Sequence, residues 1–228
     1  MAIELSVIVP MLNEEHAVVP TLRAIRTGAP GAEVIVADGG SDDYSVALAR
    51  ALCDRIVEAP RGRAIQMNAA ARLAGGDTLA FVHADTLVPP DFALAIARAM
   101  RDPGVVSGRF DLRLDDHALP FRVLGALISM RSRLTRVATG DQVIFVRRVV
   151  FERLGGFPQI ELCEDLEFCR RLKREGRIAC LHSTVISSAR RWRKHGLIRT
   201  VIRMWMIKSL YLAGISPIWL KRRYVDTR

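Results

Sequence analysis

Three apolar, β-branched runs in the first 85 residues each end in polar residues that could do chemistry. Asn13 and Glu14 follow Leu5 to Val9, which closes on Pro10; Asp38, Gly39 and Asp42 follow Glu33 to Ala37; and Asp85 follows Thr78 to Val82. In open α/β sheets ligands lie beyond the carboxyl ends of the strands. Carboxylates there offer oxygen donors to a hard divalent cation, or acceptors to a ligand N–H. One such acid can serve solubility alone; three successive strand ends carrying them form a pattern. Further along, Glu164, Asp165 and Glu167 precede Phe168 and Leu172 in what reads as the first turn of a helix, where acids also favour the helix dipole. Arg63 and Asn68 sit near the start of another expected helix, a place that suits phosphate contacts as well as a solvated face.

The elements that must hold these groups follow from periodicity. Between the first two runs, Val18, Val19, Leu22 and Ile25 recur at helical spacing, and Gly28 to Gly31 supply the stop. The alternation continues with a helix near Ser45 to Leu52, a strand at Arg55 to Val57, a helix near Ala64 to Leu73 and the strand Thr78 to Val82. This predicts one α/β domain with a mostly parallel sheet flanked by helices. Pro120 to Leu134 reads as a helix that packs on the sheet, covers a groove or touches a membrane; periodicity does not separate these.

Composition narrows the class. Half of the 228 residues are hydrophobic, enough for one extensive core and against disorder. The net charge of +10 is local, because Ser187 to Arg228 holds eleven Lys or Arg against Asp226 alone, leaving 23 of each sign before it. A nucleic-acid binder would carry that excess on its folded body, so no nucleic-acid partner is expected. In the tail, Ile198, Val201, Ile202, Trp205 and Leu212 share a helical face and Arg199 and Arg203 lie on another, which suits either core packing or an anionic membrane surface. The division expected is a domain over residues 1–195 and a basic amphipathic helical extension over 196–228. Cys53, Cys163, Cys169 and Cys180 have no metal-binding spacing, and the first residues show no export signal, so reduced thiols and a cytoplasmic site, peripheral to the inner membrane face at most, are the expectation.

An ordered set of motifs carries a family resemblance. Ser6 to Glu15, Val36 to Asp43, Gly62 to Asn68, His83-Ala84-Asp85, Gly140-Asp141-Gln142, Gly155-Gly156-Phe157, Glu164-Asp165 and Arg190-Arg191-Trp192 together resemble family 2 glycosyltransferases, which have the GT-A fold. The resemblance implies a nucleoside-diphosphate-sugar donor, an inverting transfer to a hydroxyl acceptor that could be lipid-linked, and a Mg²⁺ or Mn²⁺ ion. It implies donor binding by Pro10, Asn13, Glu14, Asp38, Gly39, Asp42, Arg63, Asn68 and Asp85, with Asp38 reading the base and Asp85 holding the metal. It implies Asp165 as general base, with Glu164, Arg191 and Trp192 on the acceptor side. His83 stands where the two-acid DXD form has its first carboxylate; His83 and His182 are either metal ligands or structural histidines. Ser188 replaces the Gln of processive members, which counts against polymer synthesis. A nucleotidyltransferase is the rival enzyme, although no Gly-rich phosphate loop followed by Lys is present. The rival from another class is a non-catalytic nucleotide- or membrane-binding module.

Overall fold

A computed structural model describes residues 4–160, 162–216 and 219–220. Its first half is the alternation the sequence predicts: β1 (Leu5–Met11), α1 (Val18–Gly28), β2 (Glu33–Asp38), α2 (Ser45–Arg50), β3 (Arg55–Glu58), α3 (Arg63–Ala71) and β4 (Thr78–Phe81). These four strands pair in parallel. The second half turns the sheet antiparallel. After β5 (Thr86–Leu87) and α4 (Phe92–Met100) come β6 (Val105–Leu114), α5 (Leu119–Thr135), a 3₁₀ turn (Gly140–Gln142), β7 (Ile144–Arg147), α6 (Arg148–Arg153), α7 (Glu164–Glu175), β8 (Arg177–Ser187), α8 (Arg190–His195) and α9 (Leu197–Leu212). The strand order is β3-β2-β1-β4-β7-β6-β8-β5, with β7 antiparallel to both neighbours and β5 antiparallel to β8.

β1 runs through Pro10 instead of stopping before it. The Ile8 carbonyl accepts from the Val82 N–H on the β4 side, and the Met11 carbonyl accepts from the Gly39 N–H on the β2 side. By alternation Pro10 faces the β4 side, where pairing has already ended at Ile8 and Phe81, so its missing N–H costs no ladder bond.

Two cores sandwich the sheet. On one face Val18, Leu22 and Ile25 of α1 are fully buried with Phe92 and Ile96 of α4 against Val7, Val9 and Val36. Each such side chain contributes about 1.5–3 kcal/mol. On the other face Ala64, Met67, Ala70 and Ala71 of α3 lie on Ile8 and Ile35. There Phe157 packs against Phe168 of α7 with ring centroids 4.2 Å apart and tilted by 38°, with Phe151 and Phe81 around them. That aromatic cluster fixes α7, and so the first turn that carries Asp165. A third, smaller cluster joins Leu124 of α5 to Trp192 of α8, with Val201 and Met204 of α9 packed against it. All four cysteines are free.

Candidate active site

The ends of β4 and β8, the 3₁₀ turn and the starts of α3, α7 and α8 meet around one cleft of about 160 Å³. Asp85 reaches it from the tight turn between β4 and β5, where the Thr86 N–H donates to the His83 carbonyl and the Ser188 N–H to that of Asp85. Antiparallel pairing of Thr86 with Ser187 secures the turn from the far side. Asp165 enters from α7: its Oδ2 accepts the Gly140 N–H at 2.8 Å and its Oδ1 accepts the Leu166 N–H at 2.7 Å. A carboxylate has about four lone-pair sites, so two bonds fix its orientation and leave acceptor capacity for a hydroxyl. Cys163 precedes the helix at φ 65°, a left-handed conformation that turns the chain sharply before Glu164 and Asp165. Its thiol is pushed up to about 12 by burial, and further by Asp165 and Glu164, so it stays protonated and is no nucleophile.

Cations surround these acids. Arg63, the first residue of α3, stands 3.8 Å from Glu164. Arg190 of α8 donates to both carboxylate oxygens of buried Glu14, at 2.9 and 3.1 Å. Arg191 and the buried Trp192 line the same cleft, as does Lys208 of α9. Burial lowers the Lys208 ammonium from its ordinary value and Arg131 adds to this, against the pull of Asp165 and Asp141. His83 lies so close over Gly140 that a Cβ there would meet its Nε2 at 2.5 Å, so any side chain at 140 would have to displace the ring.

Of the residues singled out in the sequence, the cleft thus gathers Glu14, Arg63, His83, Asp85, Glu164, Asp165, Arg191 and Trp192. The others take different places. Asn68 clamps Phe157 instead of facing the cleft: its Nδ2 donates to the Phe157 carbonyl and its Oδ1 accepts the Phe157 N–H. Such buried bonds contribute about 0.5–1.5 kcal/mol each. His182 is 87% exposed, beside Arg133 and Asp111, and does not line the cleft. Asn13, at φ 53°, zips the first loop to the second, accepting the Asp42 N–H on Oδ1 while its own N–H donates to Ser41 Oγ. Gly39 leaves room for Gln66, whose Nε2 donates to the carbonyls of Met11 and Ala37 and ties the ends of β1 and β2 together.

Asp38 is 3% exposed and its carboxylate is engaged by its own loop, accepting from the Gly40 and Ser41 N–H groups and from Ser41 Oγ. Asp38→Ala is therefore expected to lower stability by about 1–3 kcal/mol, the cost of stranding those donors. Urea unfolding measures this; an unchanged midpoint would mean that the carboxylate does not hold the loop.

The donor set suits a divalent ion only in part. Among the described residues no three His, Cys, Asp or Glu side chains converge into a metal cage. Asp85 does line the cleft, and the buried Oδ1 of Asp141, another lining residue, has no hydrogen-bond partner. One or two carboxylates completed by phosphate oxygens and water is the coordination that Mg²⁺ accepts.

The sequence profile of glycosyl transferase family 2 matches residues 6–150, well over half of the chain. The chain belongs to glycosyl transferase family 2. Asp85 lies inside the matched stretch of this glycosyltransferase; Asp165 and the α8 and α9 residues lie beyond it. A search of curated protein sequences finds no match. Among solved structures, the mannosyltransferase PcManGT from Pyrobaculum calidifontis, in complex with GDP-Man and Mn²⁺, superposes with a TM-score of 0.71 at 23% identity, covering 100% of this chain and 66% of that one. S. aureus TarS 1–349 in complex with UDP gives 0.65 at 16%, covering 81% and 60%. Glucosyl-3-phosphoglycerate synthase from Mycobacterium tuberculosis, in complex with Mn²⁺, UDP and glucosyl-3-phosphoglycerate, gives 0.55 at 20%, covering 80% and 70%. At these identities the likeness establishes the shared fold, the GT-A glycosyltransferase architecture. The chain spans 60% of the TarS chain and 66% of PcManGT.

Sequence reasoning missed three participants of the cleft. Arg190 and Asp141 stand inside the motifs without an assigned role, and nothing beside Arg190 in the chain signals its contact with Glu14. Lys208 was read as tail, because its approach to the cleft depends on how α9 folds back, which charge counting does not reveal.

Proposed function

We propose that this glycosyltransferase moves a sugar from a nucleoside-diphosphate donor to a hydroxyl acceptor with inversion at the anomeric carbon. The observation that carries the reading is the convergence of Asp85 and Asp165, from the end of β4 and the start of α7, in one cleft ringed by Arg63, Arg190, Arg191 and Lys208. The ligands bound by the neighbouring structures, the sugar donor GDP-Man and the nucleoside diphosphate UDP, carry two phosphates that these cations suit. Asp85, with the unpartnered Asp141 oxygen nearby, would hold a Mg²⁺ or Mn²⁺ ion, which when bound neutralises charge growing on the departing diphosphate. In the transfer the acceptor oxygen bonds to the anomeric carbon as the bond to the diphosphate oxygen breaks on the opposite face. Asp165 accepts the hydroxyl proton on an oxygen already oriented by the Gly140 or Leu166 N–H. Trp192 and the apolar edge of α9 at Met204 and Ile207 form a dry wall for the acceptor. The 3₁₀ turn joins the metal side to the base side, since Gly140 touches both His83 and Asp165.

A thermal-shift panel of UDP- and GDP-sugars, each with and without Mn²⁺, tests the proposal. A ligand at about 100 times its dissociation constant adds about 2.7 kcal/mol to native stability. At least one nucleotide-sugar is expected to raise the melting temperature, and to raise it further with Mn²⁺. No shift with any donor, together with no nucleotide-sugar hydrolysis, would remove the reading.

A further inference from the structure

The outer faces of α5 and α9 carry apolar side chains that the fold leaves in solvent. On α5, Leu119, Val123, Leu127, Met130 and Leu134 are each about half exposed or more, at spacings of three and four that set them in one stripe. On α9, Ile198, Ile202, Trp205 and Leu212 are 60–72% exposed and form a second stripe. The inner faces of the two helices meet in one apolar cluster, with Leu124 and Ile128 from α5 and Val201 and Met204 from α9, so both stripes flank a single seam. Monomeric proteins rarely leave two aligned stripes of this kind uncovered.

Charge selects what covers them. Neither helix contains an acid, and around the stripes Arg122, Arg136, Lys194 and Arg199 are exposed. In a symmetric dimer through this face the patch would meet its own copy, placing cation on cation. A surface that is apolar inside and anionic at its edge complements both features, and an exposed Trp is the side chain best suited to such a boundary. No helix among the described residues is long and apolar enough to cross a membrane. We infer that the α5–α9 face docks on an anionic lipid bilayer, lying in its interface without spanning it.

The placement bears on the sugar acceptor. Ile207, opposite the outer stripe that would enter the lipid, and Met204 and Lys208 on the flanks of the same helix line the cleft. A helix with side chains is about 10–12 Å across, so the cleft would sit that far from the headgroups, within reach of an acceptor hydroxyl anchored there. This last step rests on the transfer reading; the docking itself does not.

The test uses the full chain and vesicles of phosphatidylcholine with or without phosphatidylglycerol, read by flotation and by tryptophan emission. Wild type is expected to float with the anionic vesicles and to shift its emission to shorter wavelength, with at least about tenfold weaker binding to the neutral ones. Leu127→Ser with Trp205→Ser, both at exposed positions, is expected to lose about 10–100-fold in binding while keeping the melting temperature. Arg122→Glu with Arg199→Glu leaves the apolar stripes intact and is expected to abolish the preference for anionic lipid. Equal binding to both vesicle types, vesicle binding untouched by either pair, or a wild-type dimer in sedimentation that fails to float and that the Ser pair dissolves would each overturn the inference. Nucleotide-sugar binding in the same preparations is independent of all these outcomes, so failure of docking and failure of the transfer reading remain distinguishable.

Discussion

Asp165→Asn is expected to lower turnover about 10²–10⁴-fold with donor affinity little changed, because a hydroxyl is a poor nucleophile near neutral pH and the variant removes the only group assigned to take its proton. The substitution keeps the size of the side chain. It does not keep both of its hydrogen bonds, since Oδ2 accepts from Gly140 and Oδ1 from Leu166 and an amide can accept through only one oxygen. A fall of about 1–3 kcal/mol in stability is therefore part of the expected result. First-turn acids also favour the helix dipole of α7, an effect of about 0.3–1 kcal/mol. Stability and chemistry separate when turnover is divided by the folded fraction, measured by thermal melting on the same sample. A less stable variant with wild-type turnover per folded molecule would assign Asp165 to capping and sink its role as base.

Asp85→Ala is expected to cost about 10²–10³-fold in turnover and to remove the response to added Mn²⁺ or Mg²⁺, since a bound metal supplies several kcal/mol of charge stabilisation. Position 83 offers no second carboxylate, and His83 is packed on the Gly140 backbone. Asp141, which lines the same cleft, is the candidate to compensate, its buried Oδ1 being unpartnered. The double variant Asp85→Ala with Asp141→Asn is accordingly expected to bind metal more weakly than either single one. Isothermal calorimetry with Mn²⁺ and a nucleoside diphosphate measures the binding, and turnover in excess chelator checks the premise. Wild-type activity undiminished by chelator would eliminate the metal at Asp85.

The parallel half of the sheet was legible because each element there is simple. β1, β2 and β4 are each centred on a short apolar run, and Val18, Leu22 and Ile25 mark one face of α1. The antiparallel half hides its signal. β6 contains Arg109, 1% exposed, paired with Asp111 and donating to the Ser129 carbonyl, so a core strand carries a charge that its sequence presents as surface. In the cleft, the acids at strand ends could be located from their neighbours in the chain. Asn68, Asn13 and Asp38 also occur in motif positions, yet Asn68 and Asn13 are engaged by backbone from distant segments and Asp38 by its own loop, and only the folded arrangement shows that. Arg190 and Lys208 were beyond reach for the same reason in reverse: their partners lie far away along the chain.

The Glu14–Arg190 ion pair joins positions 176 residues apart. Closing a loop of that length costs about 2.5 kcal/mol more in chain entropy than closing one of ten residues, so the contact forms only after the intervening strands have assembled. During synthesis the first four strands emerge long before Arg190 does, and the cleft has no far wall until α8 arrives. Completion of the cleft is then a late event in folding. A chain that ends just before α8 keeps the parallel sheet and the two large cores, yet lacks the Arg190, Arg191, Trp192 and Lys208 wall of the cleft.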